Sequence, residues 1–170
     1  DWFERYMHQR ERASFYVAWL LALQHRGCRL VNGPQAASVL QYKPFQLHLL
    51  RELGARVPRT LITNEPEAVR AFKAEVKEVI FKPLMGGALT RALDSEVLEH
   101  ELPRVVASPV IFQERIDGED LRIMIAGDEI VSSVAIITPE QHLDFRDDPA
   151  YTGGDASYRP VELPAAVQDF

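Results

Sequence analysis

Two short apolar runs that end in charge constrain this chain more than any other feature. Val79-Ile80-Phe81-Lys82 runs into Pro83-Leu84-Met85-Gly86-Gly87, and Val110-Ile111-Phe112-Gln113 runs into Glu114-Arg115-Ile116. Runs of that length and polarity read as strands buried on at least one face, and Pro83 denies the first a further ladder hydrogen bond. A second Lys-Pro step, Lys43-Pro44, opens a helical pattern instead of closing a strand. Together they supply what a nucleotide held between two lobes needs: two cations for phosphates, a glycine turn and a strand end bearing a carboxylate.

The remaining pattern is a mixture of helices and strands. Asp1 to His25 reads as a helix ended by Gly27, followed by a buried strand at Cys28 to Val31 and a turn at Asn32-Gly33-Pro34. Gln35 to Leu40 reads as a short helix, and Pro44 and Gly54 suit the start and the cap of the next one. A strand over Val57 to Thr63 precedes a helix capped by Asn64 and running to about Val76. After the strand ending at Lys82, Leu84 to Asp94 reads as a loop or glycine-led hairpin, and Ser95 to Leu102 as a helix. Asp120 to Ala126 and Glu129 to Ile137 pair across Gly127-Asp128 as a hairpin, and the tail from Thr138 is irregular. The fold class is α+β, in two lobes meeting near Gln113.

With 170 residues the chain can build one substantial core or two small ones. Its net charge of −6, with basic residues scattered among acids, argues against a nucleic-acid surface. The apolar stretch from Phe15 to Leu23 is too short to span a bilayer, and no secretory signal is visible, so the cytoplasm is the default expectation. The single cysteine, Cys28, reads as a small core hydrophobe. The five histidines show no metal-ligand spacing. The abrupt start at Asp1 and the stop at Phe170 suggest a stretch cut from a longer protein.

Taken singly, each candidate has two readings. Lys82 can aim its ammonium at a phosphate while Gly86 and Gly87 free the backbone around the same anion, or it can be a surface lysine before a turn. Lys43 stands at a helix start that favours anions, or is simply solvated. Gln113, Glu114, Arg115 and Ile116 can offer main-chain groups to an adenine edge and a carboxylate to a ribose, or Glu114 can be an edge carboxylate paired with an arginine. Asp120 and Arg122 share a strand face, as a local ion pair or as the lining of a polar cleft. Arg146, in Asp144-Phe145-Arg146, and Arg159 can clamp oxyanions or stay in water, and solvation is favoured for Arg159.

The order of these signals says more than any one of them. Asn32-Gly33-Pro34, Lys43-Pro44 with Gln46-Leu47, Gly54, Val57-Pro58-Arg59-Thr60, Phe81-Lys82-Pro83-Leu84, Gln113-Glu114 and Gly118-Glu119-Asp120-Leu121-Arg122 form a series that resembles the ATP-grasp superfamily. It looks most similar to the ribosomal-protein glutamate ligases (RimK-like) and the graspetide, or microviridin-type, peptide cyclases. Asp144-Phe145-Arg146 and Tyr158-Arg159-Pro160 lean toward the cyclases. The resemblance implies residues 1–38 as a remnant of the N-terminal lobe, 39–113 as the lid lobe and 114–170 as the start of the C-terminal lobe. It implies ATP and Mg2+ as cofactors, with Lys43 and Lys82 on the phosphates and Gly86 and Gly87 in the loop closing over ATP. Gln113, Glu114, Arg115 and Ile116 would lie at the adenine and ribose, Asp120 would add a polar contact, and Arg122 and Arg146 would face an acyl phosphate or the acceptor.

The implied activity is ATP-dependent joining of a carboxylate to an amine or hydroxyl, with a small-molecule or peptide carboxylate as substrate. No nucleic-acid or membrane partner is implied, and homo-oligomerisation stays open. The family's metal ligands, an Asp and then Glu-x-Asn, have no counterpart in this sequence and are expected outside it. Two other readings remain: a non-catalytic nucleotide- or partner-binding module, and a kinase on the same fold. Glutathione-synthetase-like relatives often carry an arginine where this chain has Ala135-Ile136, a departure from that branch. This stretch alone is expected not to turn over.

Overall fold

The computed structural model describes residues 1–85, 87–137 and 143–168, in two units, Asp1–Gln46 and Leu47–Phe170. In the first unit, α1 (Trp2–His25) starts where the Asp1 carboxylate accepts the Phe3 N–H at 3.1 Å. It ends at Arg26 and Gly27, whose φ of +87° is the left-handed turn that glycine allows. No residue of α1 is buried in the chain as described. Cys28 to Val31 forms no strand, and Cys28 is exposed, correcting both expectations. The run is four residues long, and among the described residues no strand pairs with it. Helix α2 (Pro34–Val39) carries proline in its first turn, and α3 (Lys43–Glu52) opens on Lys43 itself and leads into the second unit.

The second unit is built on two sheets. The first has the order β1 (Thr60–Thr63), β4 (Val110–Glu114), β2 (Val79–Lys82) and β3 (Arg91–Ala92), each neighbour pair antiparallel. Alternation gives it two unlike faces. Leu61, Val79, Phe81, Val110 and Phe112 belong to the core, with Val69, Phe72 and Val76 of the segment around α4 (Pro66–Glu75) and Val97, Leu102 and Val105. The spacing of Val69, Phe72 and Val76 is that of one helix face. Ser95 to Leu102 is helical as expected, but mainly as a π-helical turn over Val97–Glu101, continued as a 3-10 helix over Leu102–Ala107. Asn64 does not cap α4: the cap position is Glu65, and the Asn64 side chain donates to Val106 O instead, at 3.4 Å.

The opposite face of this sheet carries Thr60, Ile62, Ile80, Lys82, Ile111 and Gln113. Register sets Thr60 and Ile80 directly across from Gln113, and Ile62 and Lys82 across from Ile111. The second sheet is β5 (Leu121–Ala126), β6 (Glu129–Ile137) and β7 (Ser157–Pro160), in that order and antiparallel. Its hairpin is the expected one, with a bulge between Met124 and Ile125. The tail is more ordered than its composition suggests: it holds a 3-10 turn over Phe145–Asp147, α5 (Pro149–Gly153), β7 and α6 (Ala165–Gln168). The two sheets are separated by the link from Arg115 to Asp120. Among the described residues no helix is long and apolar enough to cross a membrane.

Candidate functional site

Lys82 closes β2 on the sheet face away from the core, and its ammonium donates to Gln113 Oε1 at 2.9 Å. Gln113 is 5% exposed, and its Nε2 donates to Thr60 Oγ1 at 2.9 Å, whose hydroxyl in turn donates to Pro58 O at 2.9 Å. A polar row thus crosses three strands on a face that also holds the fully buried Ile111. Diagonal neighbours on antiparallel strands are within reach of a long side chain, which is how Lys82 meets Gln113. Aligned in this way, the ammonium is partly desolvated and oriented before any anion arrives. Thr60 belongs to the row, although the sequence reading had no role for it. Its signal was the register: a threonine in the strand that pairs with β4.

Gly86 lies outside the described residues. Gly87 has φ +91°, a left-handed conformation that glycine adopts without steric cost, with open space where a Cβ would stand. The turn returns to β3 at Thr90, whose N–H donates to Asp144 Oδ2 at 2.9 Å. Asp144 also accepts from Arg146, through its N–H at 3.2 Å, its Nε at 2.8 Å and its Nη2. The guanidinium, aided by the Thr90 and Arg146 N–H groups, holds the Asp144 carboxyl well below the usual carboxylate range against the opposing effect of burial. The same bond raises the pKa of Arg146. Arg146 keeps 46% of its side chain exposed, so one edge is docked and the rest faces outward.

Arg122 is the second residue of β5, and its Nη2 lies 3.5 Å from the Tyr151 hydroxyl. Tyr151 stacks edge-on against Phe145, with ring centroids 4.7 Å apart, next to Arg146 in sequence. Arg122 and Arg146 are therefore gathered around one tyrosine that the sequence reading passed over. Asp120 precedes β5, and its carbonyl accepts the Ile136 N–H at 2.9 Å. Glu114 sits on the central strand β4 and is no edge residue. Its Oε2 accepts the Arg59 N–H at 3.2 Å, not an arginine guanidinium as the ion-pair reading had it. The Arg115 guanidinium is engaged with Glu78 at 3.4 Å and Asp117 at 3.2 Å, both exposed pairs, and Ile116 is exposed. Arg159, expected in water alone, pairs with Glu119. Lys43 lies in the first unit and the other candidates in the second.

The donor set fits a polyphosphate: a half-buried ammonium, a half-exposed guanidinium and an open glycine turn. It does not fit a metal ion by itself. Among the described residues no group of three or more His, Cys, Asp or Glu side chains could hold one.

This is the ATP-grasp fold, in the part of it that the chain spans. The chain is 40% identical, with a TM-score of 0.78, to the ATP-grasp ligase PsnB complexed with a phosphomimetic variant of minimal precursor, Mg and ADP; the match covers 99% of this chain and 52% of PsnB. It also matches the macrocyclase MdnC bound with precursor peptide MdnA from Microcystis aeruginosa MRC, at 24% identity and a TM-score of 0.72, over 99% of this chain and 54% of MdnC. That second likeness speaks for the fold alone. In sequence, the chain is 31% identical over 129 residues to a glutathione synthetase of Ralstonia nicotianae, 69% of this chain and 39% of the relative. No family model matches the sequence. The chain spans about half the length of the solved ligases it matches, and less of the glutathione synthetase. The resemblance to the ATP-grasp superfamily, on its graspetide side, drawn from the sequence holds.

Proposed function

We propose that the full-length protein is an ATP-dependent ligase that joins carboxylates of a peptide to an amine or hydroxyl. In this reading the chain holds its lid lobe, over residues 39–113, and the start of its C-terminal lobe, over 114–170. The observation that carries the reading is the Lys82–Gln113–Thr60 row on the non-core face of the first sheet. It lies in a chain 40% identical to a ligase seen with ADP, Mg and a precursor. ATP would supply a phosphoryl group to a substrate carboxylate, and the acyl phosphate so formed would lose phosphate to the incoming amine or hydroxyl.

This chain's residues bind and orient. Lys82, with Lys43, holds phosphate oxygens, and Gly86 and Gly87 let the turn between β2 and β3 approach them. The main chain of Gln113 to Ile116 meets the adenine, with the Glu114 carboxylate and Asp120 toward the ribose. Arg122 and Arg146, gathered at Tyr151, face the reacting acyl group, where fixed cations stabilise charge as it moves. The magnesium ligands lie elsewhere in the full-length protein.

The test is calorimetry of ATP with magnesium on the full-length protein and on Lys82→Ala. We expect the wild type to bind and the variant to bind about tenfold more weakly or worse, as the loss of a charge-assisted hydrogen bond implies. ADP release should then rise with a peptide rich in carboxylates. A wild type indifferent to ATP overturns the ligase reading and leaves the fold likeness standing.

A further inference from the structure

The turn after Lys82 and the segment after β6 are tied together by one carboxylate. Asp144 is 7% exposed and accepts the Thr90 N–H, the Arg146 N–H, and the Nε and Nη2 of the Arg146 guanidinium. The Thr90 hydroxyl adds to this set. Capping the 3-10 turn over Phe145–Asp147 requires only the Arg146 N–H. It gives no reason for the reach to Thr90, 54 residues away. Thr90 directly precedes β3, at the exit of the turn whose entrance is Lys82. Bidentate contact along Nε and Nη2 sets the plane of the guanidinium, and the remainder of Arg146 stays open.

We infer that Asp144 is a positioning residue: its carboxylate clasps the exit of the glycine turn to Arg146, so that turn and guanidinium take their working places together. Asp144, being buried, touches no substrate and acts through what it holds. The inference rests on the ligase reading for what the turn and Arg146 contact, whereas the clasp itself rests on geometry alone.

The experiment uses the full-length protein and Asp144→Asn, which keeps the size of the side chain but cannot accept from both sides. Amide hydrogen exchange at Thr90, without nucleotide, reads the clasp directly. We expect exchange about tenfold faster or more in the variant, the effect of losing one hydrogen bond to a charged group. Steady-state kinetics should show the KM for ATP raised and kcat lowered together. Should Asp144→Asn fail to fold, Thr90→Val removes only the hydroxyl and is read in the same two ways, with smaller changes in the same direction. Unchanged exchange at Thr90 overturns the clasp. Faster exchange with unchanged KM and kcat leaves a structural tie and overturns the positioning role. A wild type with no ATP-dependent turnover sinks the ligase reading and the positioning role with it, while the exchange comparison still decides whether the clasp exists.

Discussion

A charged side chain at the end of a strand has to be kept solvated by something, and for Lys82 part of that work falls to Gln113. The amide spends its oxygen on the ammonium and its nitrogen on Thr60, so a buried polar residue is satisfied on both sides. Asp144 is the second such residue and the one that titrates. Its carboxyl is lowered in the folded protein, so its contribution to stability is fully present above the ordinary aspartate value of about 3.9 and drains away as the pH falls below it. Asp144→Asn lacks that contribution at every pH. We expect the wild type and the variant to differ most near neutrality and to converge in acid, in urea midpoints measured on the full-length protein from about pH 7 down to about pH 2. Lys82 and Arg146 were legible in the sequence because each ends a recognisable run. Asp144 was legible only as part of Asp144-Phe145-Arg146, since nothing local announces a partner 54 residues earlier.

At the scale of elements, the β2–β3 hairpin joins two different kinds of demand. Leu93, immediately after β3, is 1% exposed in the core, whereas Gly87 stands in open space at φ +91°. Leu93→Ala should cost about 2–5 kcal/mol of stability, since it removes a packed side chain. Gly87→Ala should cost about 1–2 kcal/mol, all of it backbone, because no neighbour obstructs the new Cβ. Thermal unfolding of the full-length variants, beside ATP calorimetry, checks the contrast: Leu93→Ala lowers the midpoint more, and Gly87→Ala weakens nucleotide binding more. The β5–β6 hairpin was readable from its alternation and Gly127-Asp128 turn. Strand β7 was not, because Ser157-Tyr158-Arg159-Pro160 is exposed throughout and gains strand character from pairing with β6 alone. The start of α5 was available and missed: Asp148 accepts the Ala150 N–H at 2.7 Å and Pro149 follows in the first turn, the ordinary signature of a helix start.

For the whole molecule, the order of short motifs carried more of the fold than composition did. Two apolar runs and a hairpin were readable as strands, whereas their assembly into two sheets was not, and the likeness to ligases about twice as long follows the same order of motifs. What stayed hidden were contacts between distant segments, which depend on how strands are ordered and not on what precedes them. The first unit has a consequence of a different kind. Both tryptophans, Trp2 and Trp19, lie on α1, 73% and 55% exposed, while the second unit carries only tyrosine and phenylalanine among its aromatic side chains. The 170-residue chain is therefore divided optically. Excited selectively, it should emit as indole in water, and a melt followed by that emission should barely move while the circular dichroism of the sheets collapses. A blue-shifted emission from these two residues in the full-length protein would report that another part of it covers α1.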